Sequence, residues 1–201
     1  MLTELTDKLT YYDKRSDFWK RYWDMASEYE AYLQKSDPGK VPRWRDSESR
    51  VPELTEEQRE RLQGYDRELN VLVYSGIWCG DCSRQGPFLK RIADAAGERV
   101  NIRFIERDTS EELQDELRIL GALRVPVVVF LSEDFWEVGR FGERTLSVYR
   151  SKAAREIGMG ADSGILSPKA REKEFAEWVD IFERVLIMLR LSPSLRRRHG
   201  D

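Results

Sequence analysis

The feature that most constrains this chain is its pair of cysteines, Cys79 and Cys82, which are the only two among 201 residues. A strand-like apolar run over residues 70–74 leads into the pair, and a helical pattern follows it. Two thiols three positions apart at a strand-to-helix junction can close a small disulfide ring and reopen it. So short a ring stabilises a fold little through chain entropy, and the spacing therefore favours reactive cysteines over a structural disulfide.

The junction also predicts different roles for the two thiols. Cys79 is expected at the start of the helix, where unpaired backbone N–H groups and the helix dipole favour a thiolate. Because the thiolate is the attacking form, Cys79 is the predicted nucleophile and Cys82, one turn later, the predicted resolving thiol. Gly80 allows a tight backbone at the junction, and Trp78 offers an exposed apolar platform beside the sulfur.

Composition argues against several classes of function. The chain carries 34 basic and 37 acidic residues, a formal net charge of −3, which indicates a mixed surface and not that of a nucleic-acid or membrane binder. No stretch approaches the roughly 20 apolar residues of a membrane span, and the first residues lack a leader pattern. We therefore expect a cytoplasmic protein. The only histidine, His199, lies far from the cysteines in sequence, so a histidine-activated thiol is not expected.

From residue 70 the hydrophobic pattern predicts alternating strands and helices. Strands are predicted near residues 71–74, 100–105, 127–131 and 135–141, and helices after the cysteines, after Ser110 and after Ser167. The first two strands should be parallel because a helix connects them, and the last two antiparallel because a tight polar turn connects them. The expected fold class is α/β, a mixed sheet flanked by helices.

The chain before this pattern is predicted to be a helical extension, residues 1–66, packed on a domain formed by residues 67–201. Aromatic and apolar residues at helical spacing predict one helix over residues 14–35, and Thr55 opens another through a capping box. Two prolines predict an irregular connection over residues 41–52. Its basic residues around Trp44, Arg43 among them, are interpreted as a solvated loop and not an anion site. The basic tail, residues 196–199, is expected to fray.

Together these residues resemble the thioredoxin family. The family's Trp-Cys-Gly-Xaa-Cys motif matches residues 78–82, and its helix-kinking proline matches Pro87. Its cis-proline loop resembles residues 121–126, and the glycine after its last strand resembles Gly142. The order of elements also agrees, over roughly residues 67–142 plus a final helix, and agreement at independent levels makes chance a poor explanation. The stretch at about 143–167 is then an insertion before the C-terminal helix.

The resemblance implies further site residues. Pro126 should be cis and lie beside the cysteines, leaving the backbone of Val125 free to pair with a substrate strand. The expected substrate-binding residues are Trp78, Gly80, Asp81, Val125, Pro126 and Gly142. Pro87 is expected to be a structural residue near the site.

Departures from the family pattern affect the chemistry. The family's usual buried aspartate would fall near Val73 and its lysine partner near Phe104, and neither of these can ionise. The family's proton route to the second cysteine is therefore missing or moved, with Glu106 and Asp81 as candidate substitutes. Asp81 also stands where thioredoxins proper have proline. Its carboxylate suits a helix N-terminus but disfavours a neighbouring thiolate, so the reduction potential does not follow from the sequence.

The resemblance implies a thiol-disulfide reductase that acts on protein or small-molecule disulfides. It implies no bound cofactor beyond the redox-active Cys79–Cys82 disulfide, no metal, and thioredoxin reductase with NADPH as the upstream electron donor. Two alternatives remain open. A binding or redox-sensing module would keep the fold but exchange slowly, as the missing carboxylate suggests. A zinc site would need four ligands and therefore two chains sharing one ion.

Overall fold

The computed structural model describes residues 13–162, 164 and 166–201. Residues 1–12 of the predicted extension, and residues 163 and 165 of the predicted insertion, lie outside the described residues. Before the sheet, the described chain forms α1 (Ser16–Met25), α2 (Tyr29–Lys35), α3 (Val41–Glu48) and α4 (Glu56–Leu62). There follow β1 (Leu69–Ser75), α5 (Gly80–Ala96), β2 (Val100–Glu106), a 3₁₀ turn (Arg107–Thr109), α6 (Glu111–Glu116), β3 (Val127–Ser132) and β4 (Glu137–Gly142). The chain ends with α7 (Leu146–Ile157), α8 (Pro168–Leu191) and α9 (Pro193–His199).

The four strands form one mixed sheet in the order β2-β1-β3-β4. β1 is parallel to β2 and antiparallel to β3, and β3 is antiparallel to β4. All seven residues of β1 are buried, as expected for a central strand covered on both faces. Val73 pairs with Phe104 on one side and with Val128 on the other. The architecture confirms the predicted α/β class, a mixed sheet flanked by helices.

Helix α5, which carries Cys82, is held between α3 and α8. Gly86 in the middle of α5 lies against the ring of Trp44, and a Cβ at position 86 would overlap that ring. A glycine inside a helix destabilises it by about 0.5–1 kcal/mol relative to alanine, so the close approach explains its presence. On the other side, the indole nitrogen of Trp178 donates a hydrogen bond to Gln85 Oε1 at 3.2 Å.

The helix predicted over residues 14–35 is two helices. Between α1 and α2, the backbone of Ser27 forms an antiparallel bridge with Phe104, with N–O distances of 2.9 and 2.7 Å in the two directions. This long-range pairing to the edge strand β2 interrupts the helix. The buried residues of α1 and α2 therefore do not lie on one continuous helical face. Met25, expected on the buried stripe, is 53% exposed, whereas Trp19 and Trp23 are buried.

The connection predicted to be irregular over residues 41–52 contains helix α3. Pro42 lies in its first turn, where a backbone N–H has no partner within the helix. A proline there costs no backbone hydrogen bond. Trp44 is fully buried and its indole nitrogen donates to the carbonyl oxygen of Ile77 at 2.9 Å. The segment is thus a helix with one face in the core, so the prediction of irregular structure was wrong, whereas its basic residues are exposed as expected.

The basic tail is also ordered, contrary to expectation. Ser192 caps α9 by accepting a hydrogen bond from the Leu195 backbone, and the Leu195 side chain is buried. Arg198 and His199 both contact the Asp134 carboxylate, at 2.9 and 2.8 Å. The cap, the Arg198 ion pair and the hydrogen bond of His199 hold the segment against the turn between β3 and β4.

The stretch after β4 that the sequence analysis assigned to an insertion contains α7, which packs on α8. The backbone N–H of Ser147 donates to Glu177 Oε1 at 2.8 Å, which ties the start of α7 to α8. The boundaries proposed at residue 66 and at residues 143–167 stay predictions. Throughout the described ranges, each helix is either too short or too polar to traverse a lipid bilayer.

Candidate active site

The junction between β1 and α5 places both thiols at the start of a helix. Cys79 is the N-cap of α5, and its sulfur accepts a hydrogen bond from the Cys82 backbone N–H at 3.4 Å. The Cys79 carbonyl accepts from the Ser83 N–H at 3.0 Å, the first bond of the helix. Both cysteines are free thiols; Cys79 is half-buried and Cys82 is buried. A foreign sulfur can therefore reach Cys79 more easily than Cys82.

The two thiols have opposite pKa shifts. The Cys82 thiol donates a hydrogen bond that lowers the pKa of Cys79 to about 6, and the backbone N–H groups of Cys82 and Asp81 act in the same direction against the effect of burial. Burial raises the pKa of Cys82 well above its ordinary value, and the neighbouring Cys79 sulfur raises it further. At neutral pH the pair therefore holds one thiolate, on Cys79, and one protonated thiol, on Cys82.

The proline loop lies against the first cysteine. The peptide bond between Val125 and Pro126 is cis, and the Val125 carbonyl oxygen lies 3.7 Å from the sulfur of Cys79. Gly142, the last residue of β4, pairs with Val127 directly after this loop. The structure thus brings Val125, Pro126 and Gly142 to the same end of the sheet as the cysteines, although 46 residues separate Cys79 from Val125.

Trp78 is 44% exposed, so its ring forms part of the surface beside the cysteines. The Arg107 guanidinium lies 4.6 Å from the centre of that ring, in cation–π geometry. This contact covers part of the platform that the sequence predicts. Pro87 lies within α5 and is buried, away from the surface.

The Asp81 carboxylate is paired with two arginines. Arg84 contacts it at 2.8 Å and Arg144 at 2.7 Å. Arg84 is itself buried and forms a second ion pair, at 2.8 Å, with the fully buried Glu174 on α8. Burial raises the pKa of Glu174, while Arg84 opposes this shift. Asp81 still raises the pKa of Cys79, but it is a minor contribution beside the hydrogen bonds.

Neither substitute that the sequence proposed for the family's carboxylate is free for that role. Glu106 accepts hydrogen bonds from the Tyr32 hydroxyl at 2.6 Å and from the Ile77 N–H at 3.2 Å. A hydroxyl group lies beside Cys82, that of Ser75, the last residue of β1. Its hydroxyl is buried without a partner at hydrogen-bonding geometry among the described residues, yet it lies close enough to Cys82 to lower that thiol's pKa against the larger effect of burial.

Sequence reasoning missed several of these residues for a common reason. Arg144 and Glu174 are 63 and 90 residues from the partners that they bind, and no local pattern marks such pairs. Ser75 carried a weak signal, since it directly follows the apolar run and precedes the motif by a few residues. A polar residue at that end of a buried strand is a natural neighbour for the resolving thiol.

Comparison with known proteins supports the assignment of the fold. The profile of the thioredoxin family matches residues 26–154, more than half of the chain. The matched region contains α2, α3 and α4, which the resemblance in sequence did not cover, and it ends within α7. No functionally curated protein matches the chain's sequence.

Two solved structures are similar to the chain. The crystal structure of a protein of unknown function from Pseudomonas aeruginosa superposes with a TM-score of 0.63 at 19% identity, covering 82% of this chain and 94% of that one. An HIV epitope-scaffold protein gives a TM-score of 0.63 at 20% identity, covering 84% of this chain and 96% of that one. At these identities the similarity concerns the fold.

Proposed function

We propose, on the premise that this chain belongs to the thioredoxin family, that it is a thiol-disulfide oxidoreductase that reduces disulfides through Cys79 and Cys82. The observation that carries the proposal is the asymmetry of the two thiols. Cys79 is half-buried with its pKa lowered to about 6, whereas Cys82 is buried with its pKa raised. One sulfur is therefore prepared to attack, and the other is kept protonated until a mixed disulfide forms.

The first step is attack by the Cys79 thiolate on a substrate disulfide. A sulfur–sulfur bond forms between Cys79 and the substrate, the substrate bond breaks, and the first substrate thiolate leaves with the electron pair. The Cys82 N–H, which donates to the Cys79 sulfur, holds that sulfur in place for the attack. The Val125 carbonyl, 3.7 Å away, is positioned for a hydrogen bond with a substrate backbone beside the sulfur.

The second step is attack by Cys82 on the mixed disulfide. Cys82 first gives its proton to the substrate thiolate released in the first step, directly or through solvent, and its raised pKa makes this transfer the harder half of the cycle. The Ser75 hydroxyl and the Gly76 backbone N–H, which both lower the pKa of Cys82, stabilise the new thiolate. The products are a Cys79–Cys82 disulfide and the second substrate thiolate, so the protein loses two electrons and the substrate gains them.

The proposal extends to partners and setting. The substrates are disulfides of proteins or small thiols, and an upstream dithiol donor such as thioredoxin reductase returns two electrons to the Cys79–Cys82 disulfide. This cycle requires no bound cofactor or metal. A cytoplasmic location suits it, because reducing conditions there keep thiols reduced.

The test measures the rate at which a protein disulfide is reduced when a chemical dithiol is the electron donor. We expect the wild-type protein to accelerate reduction and Cys79→Ser to be no faster than the donor alone. Cys82→Ser should release one equivalent of substrate thiol and then stop as a stable mixed disulfide. If the wild-type protein is no faster than Cys79→Ser, the chain is not a reductase.

A redox-sensing module is the second candidate function, and the surroundings of Cys82 favour it. Within the part of the chain that the structure describes, the candidate carboxylate Glu106 is already hydrogen-bonded to Tyr32 and Ile77 and is not free to take the proton of Cys82. In a sensor, wild-type protein would form the mixed disulfide rapidly but resolve it slowly. Following release of the second substrate thiol in a single turnover separates slow resolution from full catalysis.

A further inference from the structure

A cleft of about 820 Å³ opens beside Cys79, between α3, the start of α5 and α7. Its volume lies within the range of about 300–1,000 Å³ that is typical of small-molecule sites. Five cations line it: Arg43, Arg84, Arg144, Lys152 and Arg155. Two carboxylates, Asp81 and Glu156, also line it. The lining therefore contains more cationic than anionic side chains.

Arg43 differs from the other cations in its partners. Its guanidinium lies directly over Gly80, between the two cysteines in sequence, and a Cβ at position 80 would overlap it. Among the described residues, no carboxylate lies within ion-pair distance of it, and the side chain is exposed. An unpaired guanidinium held over the active-site turn can bind an incoming anion without first breaking an existing ion pair.

The cations on α7 form the opposite wall and are only loosely paired. Lys152 lies 3.6 Å from Glu156, and Arg155 lies 3.4 Å from Asp162. Pairs at these distances between partly exposed groups contribute little, so an anionic ligand can compete for both cations. Arg84 and Arg144, in contrast, are neutralised by close contacts to carboxylates.

We propose that the cleft binds low-molecular-weight disulfides that carry carboxylates, and that Arg43 determines this specificity. The inference rests on the proposed function and adds the substrate class. A carboxylate of the substrate binds Arg43 on one wall, with Lys152 or Arg155 available to a second carboxylate, which brings the disulfide to Cys79. The thiolate displaces one carboxylate-bearing thiol, Cys82 displaces the other, and the Cys79–Cys82 disulfide takes up the oxidising equivalents of the substrate.

Three small disulfides of matched size test the proposal: dithiodipropionate, a dianion; hydroxyethyl disulfide, which is neutral; and cystamine, a dication. The kcat/KM of the protein for each disulfide is divided by the second-order rate constant for reduction of that disulfide by a simple dithiol. This division removes differences in the intrinsic reactivity of the three disulfides. We expect the normalised kcat/KM to fall in the order dianion, neutral, dication. The preference for the dianion should weaken as ionic strength rises, because salt screens exposed charges.

Arg43→Ala should reduce the dianion-to-neutral ratio by about two- to fivefold, and Arg43→Glu should reduce it further, as expected for exposed ion pairs. Arg150→Ala is the matched control, because Arg150 is an exposed arginine on α7 that does not line the cleft. This control should leave the ratio unchanged. An unchanged ratio in both Arg43 variants, or a preference for the neutral disulfide in the wild type, would overturn the inference.

The two proposals fail in different ways. If the chain is not a reductase, all three disulfides react no faster with wild-type protein than with Cys79→Ser. If only the substrate class is wrong, the neutral disulfide is reduced efficiently and the Arg43 variants retain the wild-type ratio.

Discussion

The indole nitrogen of Trp44 donates a hydrogen bond to the carbonyl oxygen of Ile77 at 2.9 Å, and Ile77 lies two positions before Cys79. The N–H of Ile77 is also bound, because it donates to Glu106, which is held in turn by the Tyr32 hydroxyl. Trp44 lies on α3 and Tyr32 on α2. The helices before the sheet therefore fix the segment that leads into Cys79.

Trp44→Ala should destabilise the protein by about 3–5 kcal/mol, because it removes a fully buried ring and leaves a cavity beside Gly86. Trp44→Phe should have a smaller effect, about 1–3 kcal/mol, since it mainly leaves the Ile77 carbonyl without its donor. Denaturant unfolding measures both. Leu191→Ala, at a 67% exposed position, is the control and should change stability by under about 0.5 kcal/mol. Equal effects of Trp44→Ala and Leu191→Ala would refute the role of Trp44.

Asp81→Asn should lower the pKa of Cys79 further. The Asp81 carboxylate raises the pKa of that thiol, and its removal also leaves the Arg144 charge less compensated near the thiolate. The midpoint of the pH profile for Cys79 alkylation reports the change. Asp94→Asn makes the same charge change further along α5, where Asp94 pairs with Lys90, and should leave the midpoint in place. An upward shift in Asp81→Asn would contradict the assignment.

Breaking the buried pair between Arg84 and Glu174 should be strongly destabilising. Glu174→Ala removes the bidentate partner of a buried guanidinium, and the expected loss is about 3–5 kcal/mol. The double variant Arg84→Met/Glu174→Leu removes both charges and should lose less stability than Glu174→Ala alone. Free energies of unfolding for the wild type, Arg84→Met, Glu174→Leu and the double variant complete the cycle. A double variant that loses the sum of both single effects would mean that the pair is not coupled.

Ser75→Ala should slow the second step of the cycle and leave the first unchanged. The Ser75 hydroxyl lowers the pKa of Cys82, and its loss makes the resolving thiolate harder to form. If Ser75 donates to the Cys82 thiolate as it forms, loss of this hydrogen bond of about 1 kcal/mol corresponds to about a fivefold decrease in the rate of resolution. Rapid mixing with an excess of substrate measures separately the rates at which the first and the second substrate thiols are released. Equal slowing of both would show that the substitution disturbs the whole site.

The central part of the fold could be predicted from the sequence because its signals are local. The buried run of β1, the glycine that ends α5 and the cap of α8 each indicate an element without reference to the rest of the chain. The break between α1 and α2 could not be predicted, because Ser27 pairs with a strand 77 residues later (Ser27 to Phe104). Helix α3 was missed because Pro42 indicates a break by itself, whereas in the first turn of a helix it is tolerated.

For the candidate site, too, the sequence indicates the local motif but not the contacts between residues that are distant in sequence. Cys79, Cys82 and Gly80 form a contiguous motif, whereas the contacts of Asp81 and Arg43 depend on helices that are distant in sequence. The charge pattern around Trp44 is the same for a solvated loop and for an anion-binding wall. The position of the Arg43 guanidinium over Gly80, which the sequence does not indicate, is the observation that supports the anion-binding proposal.

The most direct measurement for the central claim is the pH dependence of alkylation at each cysteine, with the modified residue identified by mass spectrometry. Because the pKa of Cys79 is lowered to about 6, its thiolate persists down to about pH 6 and is lost below it. We predict modification of Cys79 with a midpoint near pH 6, slow modification of Cys82 at neutral pH, and an upward shift of the Cys79 midpoint in Cys82→Ala. A Cys79 midpoint near that of an unperturbed thiol, about 8.5, or faster modification of Cys82, would contradict the account.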